Sequence, residues 1–370
     1  MGRTGSNIPK TMKAVVKKEP GPGAVFEEYL VPSPGPGDVL VEIKAAAICG
    51  TDAHIYGWNS WASGAMKNFP QVMGHEFCGE VVAVGEMVGT VKVGDKVAGE
   101  THGPCGKCFQ CQNGLRHICA NMILFGVNCD GCFAQYAVLP EICARPIPQE
   151  IPWELGAIME PLGTSIRSAI EVGSQGTNIL VAGAGPIGLG CVAALKAFGA
   201  ADIIVTDPSS YRLSIARKVG ADICIDPTKE DPGKIIKDRT SSVGVDGFID
   251  ASGNPGAIRE GFRYLRKGGT VVLVGLPSEP LTFDATGDII FKEACVKGIH
   301  GRKMFETWTV MERMMQKELL DIEPIITHRL PLDSFEEGFR LLEEGGACKV
   351  ILVPNGDMEI PEPATAGGGI

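Results

Sequence analysis

The sequence predicts an α/β protein with a mostly antiparallel β half followed by a doubly wound parallel sheet. Short apolar runs separated by Gly- and Pro-rich turns fill residues 1–163, and this pattern is typical of irregular antiparallel β-structure. After Pro161, apolar strand patterns alternate with helical patterns. That alternation indicates a parallel sheet with helices on both faces. The 370 residues are enough for two domains.

The first predicted domain spans residues 1–163. Its clearest β-type runs are VLVEIKAAAI at 39–48, CGEVVAVGE at 78–86 and FAQYAVLP at 133–140. Clusters of turn residues such as PSPGPGD at 32–38 separate such runs. We therefore expect a domain built from short strands, with functional residues at the ends of apolar segments.

The second predicted domain spans 164–302, and 303–370 is expected to return to the first. The alternating elements are the strand NILVAG, the helix PIGLGCVAALKAFG, the strand DIIVTD, the helix SSYRLSIARKVG, the strand DGFIDAS, the helix AIREGFRYLRKG and the strand TVVLVG. The last part continues with the helix MFETWTVMERMMQ, the strand EPIITHRL, the helix SFEEGFRLLEEG and the strand KVILV. The final NGDMEIPEPATAGGGI is rich in Pro and Gly and is predicted to be a disordered tail.

Four cysteines in one short loop predict a structural zinc site. Cys105, Cys108, Cys111 and Cys119 have the spacing C-x2-C-x2-C-x7-C, which lets four thiolates surround one metal ion. Two disulfides are the alternative. The amino-terminal MGRTGSNIPKT has no apolar core, so we expect no signal peptide and a reducing, cytoplasmic setting. Because four protein ligands leave no position for a substrate, this zinc is expected to be structural.

A dinucleotide site is predicted where the second domain begins. The run Gly183-Ala184-Gly185-Pro186-Ile187-Gly188 follows a strand and opens a helix, so backbone N–H groups can approach a pyrophosphate. Asp207 ends the next strand, 19 residues after Gly188. An acidic group there binds ribose hydroxyls and repels a 2′-phosphate, which favours NAD over NADP. Arg212 is the competing observation, since it could pair with that phosphate.

Three further positions predict a catalytic zinc. Cys49 lies in AICGTDAH, His75 in VMGHEFCGE and Glu160 in IMEPLG. Together they would supply three protein ligands and leave the fourth position open. One thiolate and one carboxylate balance the charge of Zn²⁺. Glu76, next to His75, is predicted to be a ligand-exchange or outer group.

Thr51 and His54 predict a path for a proton. Thr51 lies two residues after Cys49, and His54 follows three residues later. A hydroxyl and an imidazole in series can carry the proton of a buried alcohol to solvent. An exposed turn histidine without any such role is the alternative for His54.

Composition excludes several other classes of function. The formal net charge is −10, and phosphate backbones require clustered positive charge, so we expect no nucleic-acid partner. No apolar run approaches the ~18 residues of a membrane span. Away from the zinc ligands, Cys191, Cys224, Cys295 and Cys348 stand in apolar contexts and are predicted to be core residues.

These residues together resemble the zinc-dependent medium-chain alcohol dehydrogenases from about residue 12 to 354. Members of that family have a GroES-like catalytic domain followed by a Rossmann domain. Within the family, the chain is most similar to members that oxidise L-threonine. The runs that carry this similarity are ICGTDAHIYGWNSW (48–61), GHEF (74–77), GVNCDGCFAQY (126–136), TDPSSYR (206–212) and GRKMFETW (301–308).

The resemblance implies a role for each matching residue. Cys49, His75 and Glu160 become catalytic-zinc ligands with Glu76 alternating, and Thr51 and His54 become the proton relay. His102 falls on a position linked to substrate handling, and Thr164 stands where the family usually has an Asn that supports the relay. The NAD-contact positions are Ile187, Asp207, Arg212, Val274, Gly275, Leu276, Ile299 and His300.

The predicted function is therefore NAD-dependent oxidation of a secondary alcohol, with two zinc ions per chain and L-threonine as the substrate. The family is commonly tetrameric, and a homotetramer is expected. The first alternative is the same chemistry on a polyol, a sugar or butanediol. A non-catalytic zinc-binding protein on the same scaffold and a zinc-free quinone reductase are disfavoured, because the set of Cys49, His75 and Glu160 is complete.

Overall fold

The computed structural model describes the backbone of Arg3–Thr4 and residues 8–356. The predicted carboxyl-terminal tail lies outside the described residues from position 357 onward. The strands are β1 (Arg3–Thr4), β2 (Thr11–Lys17), β3 (Val25–Leu30), β4 (Asp38–Ala47), β5 (Gln71–Val72), β6 (Glu76–Val84), β7 (Lys96–Gly99), β8 (His102–Gly103), β9 (Ile123–Leu124), β10 (Tyr136–Pro140), β11 (Ala144–Pro146), β12 (Asn178–Ala182), β13 (Asp202–Thr206), β14 (Ile223–Ile225), β15 (Val245–Asp250), β16 (Leu265–Leu273), β17 (Cys295–Gly298), β18 (Ile326–Pro331) and β19 (Lys349–Val353).

The helices are shorter in the first half of the chain than in the second. The α-helices are α1 (Gly50–Gly57), α2 (Ser60–Ala65), α3 (Phe109–Gln112), α4 (Trp153–Ala157), α5 (Met159–Val172), α6 (Pro186–Ala197), α7 (Ser210–Lys218), α8 (Pro232–Arg239), α9 (Pro255–Tyr264), α10 (Glu306–Gln316) and α11 (Phe335–Glu343). Short 3₁₀ turns lie at Arg116–Ile118, Glu141–Cys143, Glu323–Ile325 and Leu332–Ser334, and Ala285–Ile290 forms a π-helical turn. None of these helices is long and apolar enough to cross a membrane.

The chain divides into two compact units. The first contains residues 1–160 and 326–370, and the second contains 161–325. The return to the first unit therefore begins at Ile326, and the predicted boundary at 303 is wrong. The reason is packing, because the turn Glu323–Ile325 contacts α6 and α7 of the second unit. Sequence patterns alone do not reveal which sheet a helix and a turn pack against.

The first unit is built on an antiparallel sheet. Its central order is β11-β7-β6-β4-β19-β18, with β1 paired to β6 and β10 paired to β4. The last two strands, from the end of the chain, run parallel to each other, and β19 pairs antiparallel with β4. Smaller sheets β3-β2-β5 and β8-β9 complete the unit. The prediction of mostly antiparallel β-structure is confirmed, and its core contains Phe77, Phe133 and Phe335.

The second unit is a six-stranded parallel sheet in the order β14-β13-β12-β15-β16-β17. This order places the first strand of the unit at the centre, as in doubly wound dinucleotide-binding folds. Ala182 at the end of β12 is in register with Thr206 and with Asp250. The loops that follow these three strands therefore lie together at the carboxyl-terminal ends of the strands.

Helix starts in this unit follow local capping rules. Asp231 and Asn254 accept backbone N–H bonds at the first turns of α8 and α9, and each is followed by proline. Helix α9 ends at Tyr264, earlier than its sequence pattern predicts, because Leu265 is already in register with Val245 of β15. Buried sheet pairing outweighs helical periodicity there.

The remaining cysteines give a mixed result. Cys191 and Cys348 are buried, as predicted. Cys224 is half-buried, and Cys295 is exposed on β17. The prediction that Cys295 is a core residue is wrong, because β17 is the last strand at one edge of its sheet.

Candidate active site and its two metal-ligand sets

The four-cysteine loop brings its sulfurs together. The Sγ atoms of Cys105, Cys108, Cys111 and Cys119 all lie within 4.8 Å of one another. The Sγ atoms of Cys108 and Cys119 are 3.7 Å apart. A tetrahedral zinc with Zn–S bonds of ~2.3 Å requires S–S edges of about 3.8 Å, so the donor set fits zinc.

The local backbone prepares part of this loop for thiolates. The N–H groups of Lys107 and Cys108 lower the pKa of the Cys105 thiol to about 6. Burial instead raises the pKa of Cys111 to about 12. A cation must therefore supply the charge that keeps the Cys111 sulfur deprotonated, which is what a bound zinc does.

A second ligand set lies at the start of α1. Ligand atoms of Cys49, His75 and Glu76 lie within 4.8 Å of one another. Cys49 immediately precedes α1, His75 immediately precedes β6, and Glu76 is the first residue of β6. A sulfur, an imidazole nitrogen and a carboxylate oxygen form a donor set suited to zinc. The chain thus has two separate clusters that fit metal ions.

Asp52 orients two members of this set. Its Oδ2 accepts the backbone N–H of Cys49 at 2.9 Å, and its Oδ1 lies 3.2 Å from His75 Nδ1. Burial opposes a charge on the His75 ring, but Asp52 and Cys49 outweigh it and hold the pKa of His75 well above its ordinary value. With Nδ1 bound to the carboxylate, Nε2 is the nitrogen left to bind a metal.

Glu76 is paired with a lysine from the far end of the chain. Lys349 Nζ on β19 donates to both Glu76 oxygens, at 2.7 and 2.9 Å, and to the Ile48 carbonyl oxygen. Burial raises the pKa of Glu76, the Lys349 charge opposes that rise, and Glu160 adds to it. The carboxylates of Glu76 and Glu160 therefore share one buried region.

Glu160 is held by a hydroxyl. Thr101 Oγ1 donates to Glu160 Oε1 at 2.6 Å. Both residues are buried. The tightly grouped ligand set contains Glu76, whereas sequence analysis selects Glu160 as the third ligand, so the role of Glu160 remains a prediction.

The two relay residues lie on α1. Thr51 is half-buried and His54 is exposed, so the helix passes from the ligand set toward solvent. The His54 ring lies 6.5 Å from the ring of Trp61, measured between centroids. This order of burial fits a path that ends at His54.

His102 and Thr164 have different surroundings. The His102 backbone N–H and its Nδ1 both contact Glu100 Oε1, at 2.9 and 3.1 Å. His102 and Glu100 are buried. Thr164 is buried on α5, where its carbonyl oxygen accepts the Ser168 hydroxyl. The structure therefore gives His102 a fixed ring orientation.

The glycine-rich loop adopts a conformation that requires glycine. Gly183 has a φ of +94°, and a Cβ there would lie 2.9 Å from the Ser252 backbone. A Cβ on Gly188 would clash with the Gly183 carbonyl oxygen. The loop from Gly183 to Gly185 is thus compact and leads into α6 with its N–H groups available for an anion.

Asp207 connects this loop to the next strand. Its Oδ2 accepts the Ala184 N–H and its Oδ1 accepts the Ser209 N–H, both at 2.8 Å. A cavity of about 710 Å³ is lined by Gly183, Gly185, Asp207, Arg212, Tyr264 and neighbouring residues. The carboxylate therefore lines the cavity while it organises the loop.

The other predicted cofactor contacts follow strands of the same sheet. Val274, Gly275 and Leu276 follow β16, and Ile299 and His300 follow β17. Since β12, β13, β16 and β17 are parallel, these residues lie at the carboxyl-terminal ends of the strands, as the glycine-rich loop does. Ile187 lies in the first turn of α6.

Four residues of the site were missed from the sequence. Asp52, Thr101, Glu100 and Lys349 each bind a predicted functional residue. The C-x-x-D spacing of Cys49 and Asp52 is a local capping signal that could have identified Asp52. No local pattern identifies Lys349, because it is 273 residues from Glu76.

Comparison with known proteins agrees with both units. Residues 35–149 match the alcohol dehydrogenase GroES-like domain, and residues 186–317 match the zinc-binding dehydrogenase family. The L-threonine 3-dehydrogenase of Bacillus licheniformis is 45% identical and is matched over 93% of this chain and 99% of its own length. That of Thermococcus kodakarensis is 44% identical over 93% of this chain and 98% of its own length.

Solved structures give the same assignment. The 2R,3R-butanediol dehydrogenase of Bacillus subtilis is 30% identical, with a TM-score of 0.85 over 93% of this chain and 100% of its own. A short chain alcohol dehydrogenase from Escherichia coli CFT073, complexed with NADH, is 30% identical with a TM-score of 0.86 over the same shares. The chain therefore belongs to the family of zinc-dependent alcohol dehydrogenases.

Proposed function

We propose that this chain is an NAD- and zinc-dependent L-threonine 3-dehydrogenase. It oxidises the secondary alcohol of L-threonine to 2-amino-3-oxobutanoate, and the hydride passes to the nicotinamide of NAD. The observation that carries the proposal is the second ligand set, which stands apart from the four cysteines. The L-threonine 3-dehydrogenases that are 41–45% identical to the chain support the choice of substrate.

Two zinc ions per chain are proposed, one in each ligand set. Cys49, His75 and Glu160 hold the catalytic ion, and Glu76 alternates with Glu160. Zinc bound there supplies a Lewis acid for the hydroxyl oxygen of the substrate. Asp52 keeps the His75 ring oriented through Nδ1, at 3.2 Å.

The alcohol proton leaves through Thr51 and His54 in this proposal. The half-buried hydroxyl and the exposed imidazole on one short helix support that direction of transfer. His102 contacts the substrate with a ring held by Glu100. Thr164 supports the relay. The reaction balances because the alcohol loses a hydride to NAD and a proton to solvent.

NAD is the proposed cofactor rather than NADP. Asp207 lines the cavity with both carboxylate oxygens held by backbone N–H groups. A 2′-phosphate would meet this fixed negative charge, whereas ribose hydroxyls can donate to it. Arg212 lines the same cavity and is the group with which the 2′-phosphate of NADP would pair. The hydrogen bonds from the Ala184 and Ser209 N–H groups fix the Asp207 carboxylate in the cavity, and this supports the preference for NAD.

Replacing Asp207 with alanine should weaken NAD binding by roughly tenfold, the scale of one hydrogen bond to a charged group. NADP binding should improve relative to NAD, and titration calorimetry with both nucleotides measures the change. Asp222→Ala is the matched control, because Asp222 also accepts a backbone N–H, from Ile203 at 2.9 Å. Unchanged nucleotide preference in Asp207→Ala would remove this residue from cofactor selection.

The substrate assignment is tested by following NAD reduction with L-threonine, sorbitol, glucose and butane-2,3-diol. L-threonine should give the highest kcat/KM. The butanediol dehydrogenase structure, 30% identical to this chain, favours a diol as the second candidate. A clear preference for a diol or polyol, with little turnover of L-threonine, would show that the protein is a diol or polyol dehydrogenase instead.

The proposed assembly is a homotetramer in the cytoplasm. Strand β17 is the last in its sheet and exposes Cys295 and Val296, and the large side chains of Leu276 and Phe291 are 90% and 71% exposed. Exposed apolar side chains beside a free sheet edge support association with further copies. None of the thirteen cysteines, all of which lie in the described residues, forms a disulfide, which supports a reducing compartment.

A further inference from the structure

The loop 299–303 follows β17 and begins with two of the predicted NAD contacts, Ile299 and His300. Strands β15, β16 and β17 lie on one side of the central strand β12, whereas β13, which ends just before Asp207, lies on the other side. In doubly wound folds a dinucleotide extends across this point of the sheet, at the carboxyl-terminal ends of the strands. Since Asp207 is proposed to bind the adenosine ribose, the loop 299–303 lies on the nicotinamide side.

Three successive turns of α5 contact this part of the chain. Gly163, Arg167 and Glu171 are spaced four residues apart, so they share one face of the helix. At the first of them the approach is closest, because a Cβ on Gly163 would lie 2.9 Å from Arg302 Cδ. Arg302 is 1% exposed, so its side chain has little room to move away. The loop 299–303 is therefore packed directly against α5.

Arg167 holds the tip of the loop. Its Nη1 donates to the His300 carbonyl oxygen at 3.1 Å and to the Gly301 carbonyl oxygen at 3.3 Å. Gly301 has a φ of +57°, in the left-handed region that favours glycine. Because two consecutive carbonyl groups bind one guanidinium group, the peptide units around this turn have a fixed orientation. The conformation of the loop at His300 therefore depends on Arg167.

Glu171 closes the loop at its base. Its Oε2 accepts Lys297 Nζ at 3.1 Å, and its Oε1 lies 3.2 Å from Lys303 Nζ. Lys297 also donates to the Glu171 carbonyl oxygen at 2.8 Å. Burial opposes the charge on Glu171, but the hydrogen bonds from both lysines outweigh burial and lower the pKa of this carboxyl group. One charged carboxylate therefore joins the strand before the loop to the residue at its end.

We propose that Arg167 and Glu171 are positioning residues that hold the loop 299–303 in the conformation in which it binds the nicotinamide ring of NAD. This inference rests on the proposed use of NAD. Neither side chain needs to touch the cofactor, since each acts through the loop that it holds. The effect is specific for one end of the dinucleotide, because the adenosine end binds at Asp207, which follows β13 on the other side of β12.

The test compares NADH with ADP-ribose, which lacks only the nicotinamide ring. Titration calorimetry on the zinc-loaded full chain gives both dissociation constants. Arg167→Met keeps much of the apolar stem of the side chain but removes the donors to the two carbonyl oxygens. It should weaken NADH binding about tenfold, the scale of a lost hydrogen bond from a charged group, while the dissociation constant of ADP-ribose changes by less than about twofold.

Two conservative variants keep the test decisive if Arg167→Met folds poorly. Arg167→Lys retains a cation that can donate to one of the carbonyl oxygens, so it should recover part of the NADH affinity. Glu171→Gln retains the size of the side chain but removes its charge. It should weaken NADH binding several-fold and leave ADP-ribose binding unchanged.

Arg239→Met is the matched control. Arg239 Nε and Nη2 donate to the two carboxylate oxygens of Asp202, at 2.8 and 2.5 Å. Asp202 begins β13, so this ion pair lies at the amino-terminal ends of the strands, away from the proposed cofactor site. The variant removes a comparable arginine from the same unit. It should leave the ratio of the two dissociation constants at the wild-type value.

Three results would overturn this picture. If the Arg167 and Glu171 variants keep the wild-type ratio of the dissociation constants, as Arg239→Met should, the two residues do not position the loop for nicotinamide. If the variants lose affinity for NADH and ADP-ribose equally, their role is only structural. Wild-type protein that binds neither ligand would refute the proposed use of NAD itself, independently of the variants.

Discussion

Replacing Cys49 with serine is expected to abolish turnover of L-threonine while the fold survives. The sulfur belongs to the cluster with His75 and Glu76, and the residue itself is half-buried at the start of α1. Loss of the catalytic metal removes several kcal/mol of stabilisation of the reacting oxygen, about 10³-fold or more in rate. The zinc content should fall from about two to about one per chain, as metal analysis measures, with little change in the thermal midpoint.

Cys108→Ser is the matched comparison, since it removes one thiolate from the other ligand set. The four-cysteine loop has little apolar core, because Phe109, Leu115 and Ile118 are 72%, 39% and 40% exposed. Its order therefore depends on the metal. A loss of ~3 kcal/mol should lower the thermal midpoint by about 10 °C in a unit of this size. Zinc content should again fall to about one per chain.

These two variants separate a catalytic from a structural metal. If Cys49→Ser lowers the thermal midpoint as far as Cys108→Ser does, the assignment of the two sites is wrong. If wild-type protein contains one zinc per chain, the two-site proposal fails. Differential scanning calorimetry and metal analysis on the same samples provide both readouts.

His54→Ala is expected to reduce kcat by ~10²-fold or more, the usual contribution of a general base. The residue is exposed on α1, three positions after the half-buried Thr51, so the change should leave zinc content and folding intact. The loss should be largest at low pH, because hydroxide can replace the relay as the pH rises. Stopped-flow measurement of NADH formation across pH gives the profile.

His328→Ala is the control for this change. His328 is half-buried on β18, beside the Thr327 hydroxyl and outside the proposed machinery. It should keep the wild-type rate and pH profile. A His54→Ala enzyme with the same profile as His328→Ala would exclude the histidine from proton transfer.

The parts of the site that sequence analysis identified are local in the chain. The four cysteines lie within one loop, and the glycine-rich turn joins a strand to the next helix. Such sites can be predicted from sequence because the spacing of their residues and the local backbone geometry determine them. The parallel sheet is readable for the same reason, since strands and helices alternate with their own periodicities.

Predictions that needed long-range packing were less complete. The return to the first unit begins at Ile326 and not at 303, because the turn at Glu323–Ile325 packs against α6 and α7. Cys295 looks like a core residue in its apolar context but is exposed on the edge strand β17. The residues next to a strand in the sequence do not show whether it lies at the edge of a sheet. The residues next to a turn do not show which helices it packs against.

The residue types of the active site and the order of the two domains follow from the sequence alone. Cys49, His75, Glu76 and Glu160 could be selected there because zinc accepts few kinds of ligand. Only the tertiary structure decided what controls them. Lys349 reaches Glu76 across 273 positions and Thr101 reaches Glu160 across 59. Contacts at such separations depend on how strands of the sheet are ordered, and no periodicity or spacing within the chain encodes that order.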